Sequence, residues 1–230
     1  MKVLVCGKGG SGKSTIVAML GKYLADNGYK VLIVDADESN PGLYRMLGVE
    51  EKRTLVDHLG GRKVVKEGKF SLPRELKEIP EEVVAVKGNL MVLSVGKIER
   101  AGEGCACPFA FLAREFVKNL KLKENEVLII DTEAGIEHLG RGMSLVVDVI
   151  VNVVEPSLES IELSKKIKEM TDVRNVVVLN KAIPDLNIDI EPDVVIPYMT
   201  ELIYDSLGGK EVRVVPQIQK LWEKIERGSM

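Results

Sequence analysis

The sequence predicts a three-layer α/β/α domain built on a mostly parallel central sheet. Three observations predict it. Apolar runs of strand length alternate with longer stretches of helical periodicity. The strand-length runs are continuously apolar and rich in β-branched residues, as strands covered on both faces are. A glycine-rich turn separates the first run from the first helical stretch, and open parallel sheets take their ligands in such loops at the carboxyl ends of their strands. At 230 residues, 45% hydrophobic and 29% charged, the chain suits one domain whose core needs no disulfides.

The elements follow in order. "KVLVC" (2–6) is the first strand, and "IVAMLGKYLADNG" (16–28) is the first helix, ended by Gly28. "KVLIVDAD" (30–37) is the second strand. Further strands are expected at "LMVLSVG" (90–96), "EVLIIDT" (126–132), "VVDVIVNVV" (146–154), "NVVVLNK" (175–181) and "DVVIP" (193–197). Helical spacing covers 108–120, 157–171, 199–207 and 214–227. Residues 62–88 are charged and punctuated by proline. They are expected as a partly helical surface insertion within a single domain spanning 1–230.

Composition narrows the function classes. The net charge is −3, with Lys and Glu interleaved along the helices, so no nucleic-acid partner is expected. The longest apolar run is broken by Asp148 and Asn152, and none approaches the roughly 20 residues of a membrane span. The opening residues reach glycines too soon for a secretory signal. With three cysteines, the expected location is the reducing cytoplasm, where a crowded Cys pair binds metal or cycles redox state.

"GKGGSGKST" (7–15) carries the strongest chemical signal. Gly7, four residues, then Gly12, Lys13 and Ser14 fit G-x-x-x-x-G-K-[ST] between a strand and a helix. Such a loop points backbone N–H groups from Gly7, Gly9, Gly10, Ser11, Gly12 and Thr15 at phosphate oxygens. The helix behind it adds the positive end of its dipole. Lys13 is the partner of the β- and γ-phosphates of ATP, and the Ser14 hydroxyl is a Mg²⁺ ligand.

A second lysine, Lys8, is not needed by an ordinary phosphate loop. With it, "KGGSGKS" resembles the deviant Walker A ATPases, the group that contains MinD, ParA and the nitrogenase iron protein. That resemblance implies an ATP-sandwich homodimer, in which Lys8 reaches the partner's nucleotide as an arginine finger would. It also gives roles to other loops. "IVDADESNPGL" (33–43) is similar to switch I, with Asp37 positioning the attacking water and Asp35 near the Mg²⁺ shell. "LIIDTEAG" (128–135) is similar to a Walker B strand entering switch II, with Asp131 holding Mg²⁺ through water and Gly135 offering an N–H to the γ-phosphate. "VLNK" (178–181) places Asn180 and Lys181 at the adenine of ATP or ADP. "IPYMTELIYDSLGGKEV" (196–212), which includes Pro197, resembles the last base-contacting loop and helix. A lone Asp at a strand end often only caps a helix. Three of them in this order behind a phosphate loop favour the nucleotide reading.

"GEGCACPFAF" (102–111) sets Cys105 and Cys107 two positions apart. Two thiolates are half of a tetrahedral metal site. From the residues alone the pair is a metal site, a thiol switch, or two small structural residues. If two chains meet on a two-fold axis, four thiolates converge, a set suited to Zn²⁺ when tetrahedral and Ni²⁺ when square-planar. "GKIERAGEGCACPFAFLAREFV" (96–117) and "DTEAGIEHLGRG" (131–142) resemble the CooC family of nickel-insertion ATPases. The resemblance implies a Cys-x-Cys metal site at the dimer interface and a carbon monoxide dehydrogenase-type nickel enzyme as client. Ser11 departs from that family's usual Val, and Cys6 precedes the loop. A spatial-organising ATPase and an iron–sulfur carrier are the rival readings. Cys6 is expected as a buried filler and Trp222 as a packing residue. His58 is placed on a surface helix without a role. His138, within switch II, either couples nucleotide state to the interface or is a hydrogen-bonded loop residue.

Overall fold

A computed structural model describes residues 1–39, 42–98, 107–186 and 188–227. It is a three-layer α/β/α structure around an eight-stranded sheet of order β3-β4-β2-β5-β1-β6-β7-β8. The strands are β1 (Lys2–Gly7), β2 (Lys30–Ala36), β3 (Val84–Lys87), β4 (Leu90–Ser94), β5 (Glu126–Thr132), β6 (Val149–Val154), β7 (Arg174–Ala182) and β8 (Val194–Pro197). Among the strands of the described residues, only the β3–β4 pair is antiparallel. The helices are α1 (Lys13–Asp26), α2 (Leu43–Leu47), α3 (Leu55–His58), α4 (Arg62–Glu67), α5 (Cys107–Asn119), α6 (Glu137–Gly140), α7 (Leu158–Met170), α8 (Thr200–Leu207) and α9 (Gln217–Glu226).

The period-2 geometry of strands divides the core in two. Val3 and Val5 of β1, and Val31 and Ile33 of β2, face α1, α2 and α9. Leu4 and Cys6, with Leu32 and Val34, face α3, α4 and α5. Phe116 of α5 is fully buried in the second half. Trp222 of α9 packs edge-on against Tyr29, ring centroids 5.2 Å apart, and has a packing role. Cys6 is buried and free, and burial pushes its thiol up to about 12.

Several boundaries differ from expectation. The first helix starts at Lys13, not 16, because Gly12 takes a left-handed conformation and serves as its N-cap. β6 starts at Val149, since Met143–Val146 form a 3₁₀ turn instead of strand. Segment 62–88 is woven into the domain more deeply than a surface insertion. It supplies β3, an edge strand of the sheet, and its Val65, Leu76, Ile79, Val83 and Val84 are buried in the second half of the core. His58 ends α3 and pairs with Glu82 at 2.8 Å.

Candidate functional site

The loop 7–15 joins the carboxyl end of β1 to α1. Gly7 and Gly12 have φ of +145° and +96°, values that suit glycine. A Cβ at Gly7 would run into the Val153 carbonyl, and one at Gly12 into the Asn180 side-chain amide. Thus the motif's two outer glycines are also where neighbouring strands press closest. No side chain caps the start of α1, so its first amides are left to a ligand. Lys13 is folded back over the loop, its Nζ 3.3 Å from the Lys8 carbonyl oxygen.

Asp131, near the end of β5, has no exposure, and among the described residues neither carboxylate oxygen has a cationic partner, only the Ser14 hydroxyl beside it. Burial pushes it up to about 7; the Ser14 hydroxyl beside it pulls the other way, and Asp35 and Asp37 add to the rise. A buried carboxylate without a cationic partner is costly. A hard cation between Asp131 and Ser14 would remove that cost, so these residues fit Mg²⁺. Among the described residues no three His, Cys, Asp or Glu converge on a metal.

Asp35, in register with Asp131 on the neighbouring strand β2, is engaged by a lysine. Its Oδ2 lies 2.6 Å from Lys97 Nζ, and its Oδ1 accepts the Asp37 N–H at 3.1 Å. Burial pushes it up to about 6, against the pull of Lys97. Asp37 Oδ1 accepts the Ser39 N–H and hydroxyl, at 2.9 and 2.7 Å. Gly135, at φ +100°, donates its N–H to the Gly7 carbonyl at 3.2 Å. The segment after β5 therefore lies against the phosphate loop, and a Cβ added at Gly9 would be in contact with the Ala134 side chain.

Lys8 pairs with Glu155 at 3.1 Å, and the other oxygen of Glu155 takes Lys181, also at 3.1 Å. Lys181 further donates to the Gly10 carbonyl. Burial works against ionisation of Glu155, but the two lysines override it and hold the carboxyl below its usual range. Glu155 follows β6 directly, and neither it nor Lys97 was picked out by sequence reasoning. No local motif marks them. Only their place at strand ends, on the ligand side of a parallel sheet, is a signal.

Asn180 donates to the Ser11 carbonyl at 2.8 Å. It opens onto a cavity of about 470 Å³ bordered by Gly12, Thr15, Pro197, Met199 and Ile203, a size that suits a small-molecule ligand. The structure thus gathers Gly7–Thr15, Asp37, Asp131, Gly135, Asn180, Lys181 and Pro197 around one loop.

His138, on α6, is buried and has no partner among the described residues at either ring nitrogen, which differs from a hydrogen-bonded loop residue. Burial first, then Arg141, lowers its pKa to about 4. Cys107 is the first residue of α5 and its sulfur is in a disulfide. Cys105 lies outside the described residues.

The family model of the CobQ/CobB/MinD/ParA nucleotide-binding domain matches residues 2–229. An uncharacterised ATP-binding protein of Methanocaldococcus jannaschii is 46% identical over 181 residues, 74% of this chain and 73% of its own length. The carbon monoxide dehydrogenase accessory protein CooC of Rhodospirillum rubrum is 36% identical over 179 residues, 73% of this chain and 68% of its own. Among solved structures, the septum site-determining protein MinD of Pyrococcus horikoshii with Mg-ADP superposes with a TM-score of 0.71 at 21% identity, covering 99% of this chain and 96% of that one. That likeness speaks for the fold.

Proposed function

The chain belongs to the CobQ/CobB/MinD/ParA nucleotide-binding family, and from that premise we propose that it is a Mg²⁺-dependent ATPase, a nucleotide-controlled homodimer that handles a metal ion through Cys105 and Cys107. The observation that carries the ATPase reading is the buried Asp131 beside Ser14, without a cationic partner among the described residues, at the foot of an uncapped glycine loop. Lys13 turns from the Lys8 carbonyl to the phosphates. Ser14 and Asp131 would hold Mg²⁺, which when bound would supply positive charge against the phosphate oxygens. Asp37 orients the attacking water and receives its proton as the water oxygen bonds to the γ-phosphorus and the bond from that phosphorus to the bridging oxygen breaks, releasing ADP and phosphate. Gly135 exchanges its bond to Gly7 for one to the γ-phosphate. That exchange is how hydrolysis is felt at switch II. Asn180, Lys181 and Pro197 serve the adenine. Lys8 leaves Glu155 to reach the partner chain's nucleotide.

The metal reading rests on two supports, the Cys-x-Cys spacing of residues 105 and 107 in the sequence and the similarity to a carbon monoxide dehydrogenase accessory protein. Two thiolates from each of two chains make one site for Ni²⁺ or Zn²⁺. The cargo is nickel, and the client is a carbon monoxide dehydrogenase-type enzyme in the cytoplasm. The disulfide on Cys107 favours a second reading, a thiol switch in which oxidation withholds that thiolate from metal. Among the described residues no helix is long and apolar enough to cross a membrane.

The deciding measurement is metal content against native mass, with Mg-ATP or ADP, for wild type and Cys105→Ser/Cys107→Ser, each with and without reductant. One metal per dimer, only when reduced and absent from the variant, supports the metallochaperone. ATP-driven dimers with no metal in the reduced protein sink it. A brown, oxygen-sensitive product would point to an iron–sulfur carrier instead. Sedimentation with liposomes or DNA would point to a spatial organiser.

A further inference from the structure

Asp35 and Asp131 are register partners on the adjacent parallel strands β2 and β5. Partners in register project to the same side of a sheet, on strands about 4.8 Å apart. Both side chains are buried, at 1% and 0% exposure. Two carboxylates therefore share one dry pocket, where each needs a counter-charge. The fold supplies a cation to one of them. Lys97 Nζ lies 2.6 Å from Asp35 Oδ2 and 2.6 Å from the Asp37 carbonyl oxygen.

The main chain holds that lysine in place. Val95 N–H donates to the Asp35 carbonyl at 2.9 Å, and Ile98 N–H to the Glu38 carbonyl at 3.2 Å. The continuation of β4 thus runs beside residues 35–38, and Lys97 is pinned between two such bonds. Its side chain is only 12% exposed. Asp131 has no comparable partner on either oxygen.

We propose that Lys97 is a tethered cation that occupies Asp35 and so reserves Asp131, alone of the two carboxylates, for the Mg²⁺ that accompanies the nucleotide. Lys97 is a positioning residue, acting through Asp35. The proposal rests on the nucleotide reading above. Its signature is a pair of opposite effects. Without Lys97, Asp35 adds a second acceptor to the Mg²⁺ pocket and strengthens its pull on a cation. Without the Asp35 charge, the Lys97 ammonium stands unneutralised beside that pocket and competes with Mg²⁺. Removing both charges restores the balance.

The test is the binding of a fluorescent ATP analogue against free Mg²⁺, for wild type, Lys97→Met, Asp35→Asn and the double variant, each first shown folded by its thermal melt. Lys97→Met is expected to lower the Mg²⁺ midpoint at least threefold. Asp35→Asn raises it at least threefold, and the double variant returns to within twofold of wild type. Shifts in one direction, no shift in Lys97→Met, or a double variant as weak as Asp35→Asn would overturn the proposal. If one single variant does not fold, the double variant against the other decides, since an unrestored midpoint there overturns it equally. A wild type that binds the analogue without regard to Mg²⁺ overturns the Lys97 assignment alone. A wild type that binds no analogue overturns the nucleotide reading and this one with it.

Discussion

Lys8 is held by Glu155 of its own chain, Nζ to Oε1 at 3.1 Å. The two residues are brought together because β6 lies next to β1 in the sheet. A lysine meant for a partner's nucleotide must first leave this pair. Lys8 is about one-third exposed, so the pair is worth about 0.5–1 kcal/mol at most. Both chains release the pair on dimerisation, so Glu155→Gln should lower the protein concentration needed for ATP-driven dimerisation by about 5- to 30-fold. Analytical ultracentrifugation with a slowly hydrolysed ATP analogue measures it. A weakened dimer would instead mean that Glu155 works across the interface.

Among the described residues, Lys13 makes one side-chain hydrogen bond, to a carbonyl of its own loop. Lys13→Ala should melt within a few degrees of wild type and yet lose nucleotide affinity. A charge-assisted bond to phosphate is worth about 1.5–3 kcal/mol, or about 10- to 150-fold. Titration with a fluorescent nucleotide reads this directly. Affinity within twofold of wild type would remove Lys13 from the phosphate site.

His138 carries a pH prediction. Its folded pKa is about 4, below the ordinary value near 6.5. The unfolded chain therefore binds more protons between these values, and stability is lost as pH falls from 6.5 towards 4. At pH 4.5 the loss is roughly 2–3 kcal/mol. Asp35 and Asp131, both raised, act in the opposite sense over the same range, so the comparison must be between variants. His138→Leu keeps both carboxylates and should flatten the acid side of the stability curve relative to wild type. Parallel curves in urea melts from pH 7 to 4.5 would show that His138 is solvated.

Cys6 separates from the other cysteines by reactivity. Its thiol is buried and pushed up to about 12, so almost no thiolate is present at neutral pH. After reduction, alkylation of native protein should mark residues 105 and 107 and spare Cys6, which reacts only in denaturant. Peptide mass mapping decides it. Rapid native labelling of Cys6 would mean that the β1 end opens readily.

Much of the fold could be read from local pattern. β1, β2 and β5 are continuous β-branched runs because both faces of the sheet are covered, and the phosphate loop is a contiguous motif whose glycines are demanded by backbone geometry. The strand in 62–88 was not legible. "VAVK" is four residues long at a sheet edge, and its outer half is exposed, so its composition matches a surface loop.

By itself the sequence determined the layered α/β architecture, the loop at 7–15 and the order of the acidic residues behind it, since each depends on residues close together in the chain. The tertiary structure decided the electrostatics of the site. Residue 155 meets residue 8, and residue 97 meets residue 35, only because strand order places β6 beside β1 and β4 beside β2. A lysine or glutamate just past a strand end reads as a solvated surface charge until the neighbouring strand is known. Burial between strands is what turns Lys97, Asp35 and Asp131 into interacting charges.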